Sequence, residues 1–250
     1  MAISHCVIPD TQIKPGVRTD HLDWISGFIR QHRPGVIVQL GDWYDMVSLN
    51  SYERGKKAAE GRRVDKDINA GNTALFRLMK HWPRSYSPRL VFLLGNHEYR
   101  ISRYLQDYPE LEGTIGYHQF AFAQRGWQVV PFLQPIKIDG VLYCHYFCRN
   151  ADGKVLQSKS GQASAKAQVQ REHMSCTSGH KQGYDHHIHE VFGGRHHGII
   201  AGSCYLHKEN YLTAQGNDHW NGIVYKQGVK NGDYQELSFI SLDQLKRDFG

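Results

Sequence analysis

The sequence has few cysteines and no long apolar run. Five cysteines occur among 250 residues, and none of them belongs to a CxxC pair. An odd number without paired spacing argues against a disulfide framework and favours reduced thiols. No apolar run approaches the length of a membrane span, and the amino terminus lacks a basic region followed by a long apolar one. We therefore expect a soluble, cytoplasmic protein with no membrane partner.

Internal repeats and low-complexity tracts are also missing, and no change of composition marks a linker. With 40% apolar residues, a chain of 250 residues can bury one substantial core, so we predict a single domain over residues 1–250. The formal net charge is +6 at pH 7. A basic balance favours polyanionic partners such as nucleic acid, although many basic proteins bind none.

Three short apolar runs each end in a cluster of polar side chains. The runs cover residues 3–9, 36–40 and 90–94, and their length is typical of buried strands. The polar residues that follow them are Asp10 and Gln12, then Asp42 and Asp45, and then Asn96, His97 and Glu98. Because open α/β sheets hold their ligands at the carboxyl ends of strands, we interpret the three clusters as one site.

Segments with helical periodicity lie between these predicted strands. This alternation of strand and helix predicts a largely parallel sheet covered by helices. Apolar residues recur at helical spacing within residues 20–33 and again before Pro83. Residues 99–126 look mostly helical, and we expect them to form a cap beside the site. From Trp127 onward the pattern changes to short strands, interrupted by a polar helical segment over residues 162–173.

Two histidines complete the set of residues at predicted strand ends. His145 follows the apolar run VLYC, and His180 follows Ser178 and Gly179. Carboxylates, amide oxygens and imidazoles gathered at a sheet edge are the ligand set of a dinuclear metal site. Two metals held close together can bind a phosphate, lower the pKa of a bound water and stabilise a leaving oxygen.

At this point the sequence resembles the calcineurin-like metallophosphoesterase family. That family carries the motifs D-x-H, GD-x-x-D, GNH-E/D, a lone His after a strand, and GH-x-H. They read here as Asp10-Thr11-Gln12, Gly41-Asp42-Trp43-Tyr44-Asp45, Gly95-Asn96-His97-Glu98, His145 and Gly179-His180-Lys181-Gln182. Their order and spacing match over residues 3–205. The resemblance implies a four-layer α/β/β/α sandwich of two mixed sheets flanked by helices, the metallophosphoesterase fold.

The resemblance also implies a role for each motif residue. Asp10 and Asp42 would bind a first metal, and a second metal would be bound by Asp42, Asn96, His145 and His180. His97 would not be a ligand; it would protonate the leaving group or stabilise the transition state, which suits an imidazole. Asp45 or Glu98 would orient His97 or a ligand through hydrogen bonds.

Two residues depart from the family pattern. Gln12 replaces the histidine of D-x-H, and Gln182 replaces the second histidine of GH-x-H. An amide oxygen binds metal more weakly than imidazole and favours harder ions, so we expect two divalent ions with Mn²⁺ favoured over Mg²⁺, Zn²⁺ or Fe. Gln182 remains a candidate ligand or outer-shell residue. The alternative is an empty first site and a protein without catalytic activity.

The predicted function is hydrolysis of phosphate esters by a metal-activated hydroxide, with phosphodiesters of nucleic acid or nucleotides as favoured substrates. A basic segment follows the second motif, and the aromatic residues Trp43, Tyr44 and Tyr52 near it could stack on bases. Phosphatases of the family often have Arg directly after GD-x-x-D, where this chain has Met46. The candidate substrate-binding residues of the basic segment are Arg54, Lys56, Lys57, Arg62 and Arg63.

Three alternatives stay open from the sequence. The protein could be a phosphoprotein or small-molecule phosphomonoesterase, or a catalytically degenerate module that binds nucleic acid or protein. The alternative interpretation of the basic segment is a solvated surface loop. A further cluster of histidines after the last motif is explained by two polar strand edges or, alternatively, by contacts with the site; its members are His186, His187, His189, His196 and His197.

Overall fold

The computed structural model of the chain describes residues 3–149, 153–157, 163–209 and 216–250. Within these ranges the strands are β1 (Ile3–Ile8), β2 (Val36–Gln39), β3 (Arg89–Leu93), β4 (Gln128–Val130), β5 (Ile136–Ile138), β6 (Val141–Tyr143), β7 (Cys176–Ser178), β8 (Tyr184–Val191), β9 (Gly194–Ala201), β10 (Gly222–Val229) and β11 (Glu236–Ser241). The α-helices are α1 (His21–His32), α2 (Val64–Met79), α3 (Arg100–Asp107), α4 (Ala121–Gln124), α5 (Ala165–Glu172) and α6 (Leu242–Phe249).

The strands form two mixed sheets. The first has the order β11-β10-β1-β2-β3-β4, and the second has the order β5-β6-β7-β9-β8. Strands β1 to β4 run parallel to one another, as do β6, β7 and β9, while the remaining pairs are antiparallel. Because β1, β2 and β3 are parallel neighbours, their carboxyl ends meet at one edge of the first sheet.

Alternating side chains of the first sheet enter two different cores. In β1, Val7 packs between the sheets with Tyr143 and Ile199, while Cys6 and Ile8 pack against the helices on the other face. Strands buried on both faces are expected to be apolar throughout, as β1 and β2 largely are. A smaller core lies between α5 and the outer face of the second sheet. Two mixed sheets flanked by helices confirm the general α/β sandwich that the sequence predicts.

Residues 99–126 are only partly helical. Besides α3 and the four-residue α4, the segment contains short 3₁₀ turns at residues 109–111 and 117–119. Phe120 and Phe122 are buried in the core beneath the first sheet, so part of the segment completes that core. Residue 162, the expected start of the helical segment 162–173, lies outside the described residues, and the helix itself covers Ala165–Glu172.

None of the helices in the described ranges is long and apolar enough to cross a membrane. The late histidines occupy the antiparallel pair β8 and β9, with His189 opposite His196. Strand β8 is the edge of its sheet, whereas β9 is an interior strand on which His197 is buried and bonded to Asp233 at 3.0 Å, so only the histidines of β8 lie on a strand edge.

Candidate metal centre

The predicted ligands lie just beyond the ends of strands from both sheets, and several of them have unusual backbone. Gln12, Asp42 and His180 have positive φ angles of 45°, 52° and 66°. Left-handed backbone is unfavourable for residues other than glycine and is often found at functional sites. Hydrogen bonds hold this conformation: the amides of Thr11 and Gln12 donate to the carbonyl of Asp42 at 3.1 and 2.8 Å. These hydrogen bonds join the loops that follow β1 and β2, and they do not need a bound ion.

Three of the predicted ligands of the second metal converge. One ligand atom from each of Asp42, His145 and His180 lies within 4.8 Å of the others. The side-chain oxygen of Asn96 lies between the two imidazoles, 2.9 Å from His145 Nε2 and 2.8 Å from His180 Nδ1. His145 Nε2 is also 3.5 Å from Asp42 Oδ2. All four residues that the resemblance assigns to the second metal thus surround one point.

The protonation of His145 makes this arrangement suited to a cation. Its Nδ1 lies 2.8 Å from the carbonyl oxygen of Leu40, which can only accept, so Nδ1 carries the proton. Burial lowers the pKa of His145, with the charge of Asp42 acting in the opposite direction, and the ring is neutral near pH 7. Nε2 therefore presents a lone pair to the oxygen of Asn96. Nε2 and the amide oxygen are thus both available as ligands to one cation.

His180 is likewise suited to act as a neutral ligand. Burial, with a further contribution from His145, lowers the pKa of His180 to about 4. For Asp42 burial acts to raise the pKa, but the charges that His145, His97 and His180 carry when they are protonated at low pH outweigh it, and the net pKa is lowered. A carboxylate beside two neutral imidazoles is the donor set of a divalent metal site.

The predicted first set, Asp10 and Gln12, contains unsatisfied acceptors. Both residues are buried, and neither Asp10 Oδ2 nor Gln12 Oε1 has a hydrogen-bond partner within the described ranges. Asp10 Oδ1 accepts from the amide of His180 at 3.0 Å. Burial, reinforced by the charge of Asp42, raises the pKa of Asp10 well above its ordinary value. Each unmet buried acceptor costs about 1–3 kcal/mol, and a cation would remove that cost.

His97 lies beside the centre and is not part of the converging group. Its Nδ1 is 2.8 Å from Asp45 Oδ1, and its Nε2 is 3.8 Å from Asp42 Oδ2. Burial acts to lower its pKa, but the charge of Asp42 and the hydrogen bond with Asp45 raise it more, so the net shift is upward. The imidazole is thus oriented by Asp45 with its other nitrogen turned toward the predicted bridging carboxylate.

Asp45 is held by more groups than the sequence indicates. Lys14 Nζ binds Asp45 Oδ2 at 2.8 Å and Glu209 at 2.6 Å, and Arg100 donates to the carbonyl of Asp45 at 2.6 Å. Burial acts to raise the pKa of Asp45, yet His97 and Lys14 hold it well below its usual range. Sequence reasoning missed Lys14, Arg100 and Glu209. Lys14 and Arg100 lie within a few residues of motifs, whereas no local signal marks Glu209.

Glu98 joins the loops that follow β2 and β3. Its carboxylate accepts from the backbone amides of Asp42, Tyr44 and Gly95 at 2.9, 2.8 and 2.8 Å. Burial, together with the charge of Asp42, raises the pKa of Glu98 to about 7. Glu98 thus positions Asp42 by accepting a hydrogen bond from the backbone amide of Asp42. Gln182, the other candidate for the outer shell, accepts a hydrogen bond from the hydroxyl of Tyr205 at 2.7 Å.

A cavity of about 760 Å³ opens beside His97 and reaches the basic segment. Of the five candidate substrate-binding residues, Lys56, Arg62 and Arg63 line it, and Arg62 is paired with Glu53. Arg54 and Lys57 do not line it; the guanidinium of Arg54 lies over the rings of Tyr104 and Tyr108.

The expectation that Trp43 and Tyr44 stack on bases is wrong. Both side chains are fully buried, because the ring of Tyr44 stacks on Phe120 at 3.9 Å and Trp43 packs edge-on against Phe122 at 5.5 Å. Tyr52 is 78% exposed and lines the cavity, so it alone of the three suggested aromatic residues is open to a ligand there.

No family model matches the chain, and no curated protein matches it. Among solved structures, the chain is similar to GAP50, the anchor in the inner membrane complex of Plasmodium. That alignment covers 99% of this chain and 95% of that chain, with 14% sequence identity and a TM-score of 0.28. A likeness with so low a TM-score carries no argument about fold or function. The interpretation of the centre therefore depends on the chemistry of its own residues.

Proposed function

We propose that the chain is a metal-dependent phosphoesterase of the calcineurin-like metallophosphoesterase type, with that family's fold, acting on phosphodiesters in nucleic acid or nucleotides. The observation that carries the proposal is the convergence of Asp42, His145 and His180 around the oxygen of Asn96. A carboxylate, an amide oxygen and two neutral imidazoles gathered around one point are the donor set of a divalent cation site.

The residues fit two ions of unequal affinity. Asp42, Asn96, His145 and His180 would hold one, and Asp10, Gln12 and Asp42 would hold the other. Because the first set, Asp10, Gln12 and Asp42, supplies only oxygen atoms, it favours Mn²⁺ or Mg²⁺ and binds them weakly. When bound, the ions would supply Lewis acidity toward a phosphoryl oxygen and a water of lowered pKa.

His97 is the proposed proton donor to the leaving oxygen. Its Nδ1 proton is directed at Asp45, which fixes the ring, and its Nε2 faces the centre. The upward shift of its pKa favours the protonated form that such a donor requires. General acid catalysis of this kind contributes roughly 10²- to 10⁴-fold to a rate.

A diester substrate is favoured by the space beside the centre. The cavity next to His97 is large compared with a phosphate group, and basic side chains line its far side. A phosphodiester carries a substituent on each side of the reacting phosphorus, and this space can take one of them.

The test is hydrolysis of bis-p-nitrophenyl phosphate beside p-nitrophenyl phosphate, with Mn²⁺ restored after chelation. We expect the diester to be preferred, turnover to need added metal, and Asp42→Asn to abolish it because that carboxylate serves both ion sets. His97→Ala should lower kcat by roughly 10²- to 10⁴-fold. His81→Ala, which removes an exposed imidazole outside the centre, is the matched control.

Three outcomes would change the assignment. Preference for the monoester would indicate a phosphatase. Unaltered turnover in Asp42→Asn would remove the bridging role of that residue. A protein that binds no metal and hydrolyses neither ester would be a binding module.

A further inference from the structure

The cavity extends from His97, which lies beside the candidate metal centre, to a wall of basic side chains; the predicted metal ligands themselves do not line it. His97 and Arg100 line one part of it, and Lys56, Arg63 and Lys66 line another. The phosphate that reacts would lie at the His97 end. The rest of the cavity is therefore available to a portion of the substrate beyond the reacting bond.

Most charged groups near His97 already have partners inside the protein. Lys14 is shared between Asp45 and Glu209, and Glu209 also binds His207 at 2.6 Å. Arg62 is paired with Glu53. These pairs neutralise the near part of the cavity, so they contribute little attraction for an additional anion.

Three cations on the opposite side are not neutralised in this way. Among the described residues, the side chains of Lys56 and Lys66 have no ion pair or hydrogen bond, and Arg63 donates to a backbone carbonyl, that of Arg62, at 2.7 Å. Two acidic side chains that line the cavity, Glu60 and Asp67, have no ion pair among the described residues, and Asp67 accepts hydrogen bonds from the amide and hydroxyl of Ser48. The three cations of this wall still outnumber these two acids, and a basic surface of this kind attracts phosphate.

An exposed aromatic ring lies in the same cavity. Tyr52 is 78% exposed, and its backbone amide donates to the side chain of Asn50 at 3.2 Å. An aromatic ring beside unpaired cations is the combination by which proteins hold single-stranded nucleic acid, because the ring stacks on a base while the cations bind the backbone.

We propose that Tyr52, Lys56, Arg63 and Lys66, called here the distal wall, bind the nucleotide next to the reacting phosphodiester in a single strand. The neighbouring phosphate binds the three cations, and a base stacks on Tyr52. The substrate is then a strand with at least two phosphates, and an isolated diester is a poor one. This inference rests on the proposed phosphodiesterase function of the metal centre.

Binding without turnover gives the first test. The probe is a fluorescein-labelled oligothymidylate of about ten nucleotides, a length within the range that single-strand binding surfaces cover. Its anisotropy is followed with the full-length protein in a chelator at several salt concentrations. Lys56→Gln, Arg63→Gln and Lys66→Gln should each raise the Kd by up to about fivefold, the upper end for an exposed charge pair. Each should also reduce the slope of log Kd against log salt by about 0.7.

Lys57→Gln is the matched control. It removes the same charge from the same segment, yet Lys57 is exposed and does not line the cavity. Its Kd and salt slope should stay close to those of the wild type. Equal effects of Lys57→Gln and Lys56→Gln would overturn the distal wall in favour of a diffuse attraction by the whole segment.

Turnover gives the second test. With Mn²⁺, kcat/KM of the wild type should be higher for a trithymidylate with two internal phosphodiesters than for the dinucleotide with one. The ratio should fall toward one in the triple variant Lys56→Gln/Arg63→Gln/Lys66→Gln, and Tyr52→Ala should weaken single-strand binding. Tighter binding of a duplex than of the single strand, or a ratio unchanged in the triple variant, would overturn the inference.

The two proposals fail in different ways. If bis-p-nitrophenyl phosphate is hydrolysed but oligonucleotide length and the distal-wall variants have no effect, the phosphodiesterase function stands and the proposed binding role of the distal wall is wrong. If no ester is hydrolysed but the triple variant loses oligothymidylate binding that Lys57→Gln keeps, the wall stands as a binding surface and the proposed enzyme is wrong.

Discussion

Gln12 is the residue at which this centre departs most from the motifs of the family that the sequence resembles. Its side chain is buried, and its backbone is held in the left-handed region by a hydrogen bond that its N–H donates to the carbonyl of Asp42 at 2.8 Å. The unsatisfied Oε1 and the neighbouring Asp10 Oδ2 are both available to an ion. An amide oxygen in place of imidazole lowers affinity for Zn²⁺ more than for Mn²⁺.

Gln12→His should therefore strengthen metal binding at the first set. Histidine tolerates left-handed backbone better than most residues, so the substitution should not disturb the loop. We expect Zn²⁺ to bind that set about tenfold more tightly, a gain of about 1.4 kcal/mol, in calorimetric titration of chelator-treated protein. Gln182→His is the comparison variant. The side-chain oxygen of Gln182 already accepts a hydrogen bond from the hydroxyl of Tyr205, so this substitution should not produce the same gain. Identical isotherms for wild type and Gln12→His would show that residue 12 does not bind metal.

The elements that carry the site are packed with little free space. Helix α2 crosses the loop that follows β2, where the indole nitrogen of Trp43 donates to the carbonyl of Gly71 at 3.0 Å. A Cβ on Gly71 would lie 2.0 Å from the ring of Tyr44. That ring is itself stacked on Phe120, with 3.9 Å between the ring centroids, so it cannot move away from an added Cβ. The approach of α2 thus depends on glycine at this position.

Gly71→Ala should destabilise the fold although alanine is the better helix former. Overpacking costs about 1–3 kcal/mol and outweighs a propensity gain of at most about 1 kcal/mol. The free energy of unfolding in urea measures the difference. Gly194→Ala serves as the control, because a Cβ there meets no atom within 4 Å. A variant at residue 71 as stable as the wild type would mean that α2 can shift away from the loop.

At the scale of the whole molecule, a buried charge connects the two sheets. Lys226 of β10 is fully buried and donates to Thr177 of β7 at 2.6 Å and to the hydroxyl of Tyr143 of β6 at 3.1 Å. His5 of β1 binds the same hydroxyl at 2.7 Å. Burial lowers the pKa of Lys226 to about 7. The sheets therefore meet through a polar network within an otherwise apolar core.

The lowered pKa of Lys226 predicts a rise of stability with alkaline pH. Between about pH 7 and the ordinary lysine value, the unfolded chain binds the proton more strongly than the folded protein does. Stability therefore increases with pH across that window, by up to about 1.4 kcal/mol per pH unit for this group. Below pH 7 both states are protonated, and the contribution is constant.

Urea unfolding at pH 7 and pH 9 tests this expectation in wild type and Lys226→Met. The wild type should gain stability relative to the variant as the pH rises, because methionine has no proton to release. Lys230→Met, at an exposed lysine just beyond the end of the same strand, should follow the wild type. Parallel pH dependence in wild type and Lys226→Met would show that the buried ammonium keeps its ordinary pKa.

Much of the candidate centre could be predicted from the sequence because its signals are local. Asp42, Asn96 and His97 each follow a short apolar run, and parallel strands bring the ends of such runs together. His145 follows an apolar run in the same way, and the two-sheet α/β sandwich was predictable from the resemblance. In each case a few consecutive residues determine a strand, a turn and the side chain at its tip.

Tertiary structure alone decided which groups those side chains meet. Lys14 and Glu209 are 195 residues apart in sequence and come together only when the chain folds around the first sheet. Trp43 and Tyr44 follow a strand just as Asp42 does, yet helix α2 and the segment carrying Phe120 and Phe122 cover them. Lys226 stands in a run of strand residues whose pattern gives no sign of its burial. Strand and turn formation depend on neighbouring residues, whereas burial and charge pairing depend on what distant parts of the chain pack against them.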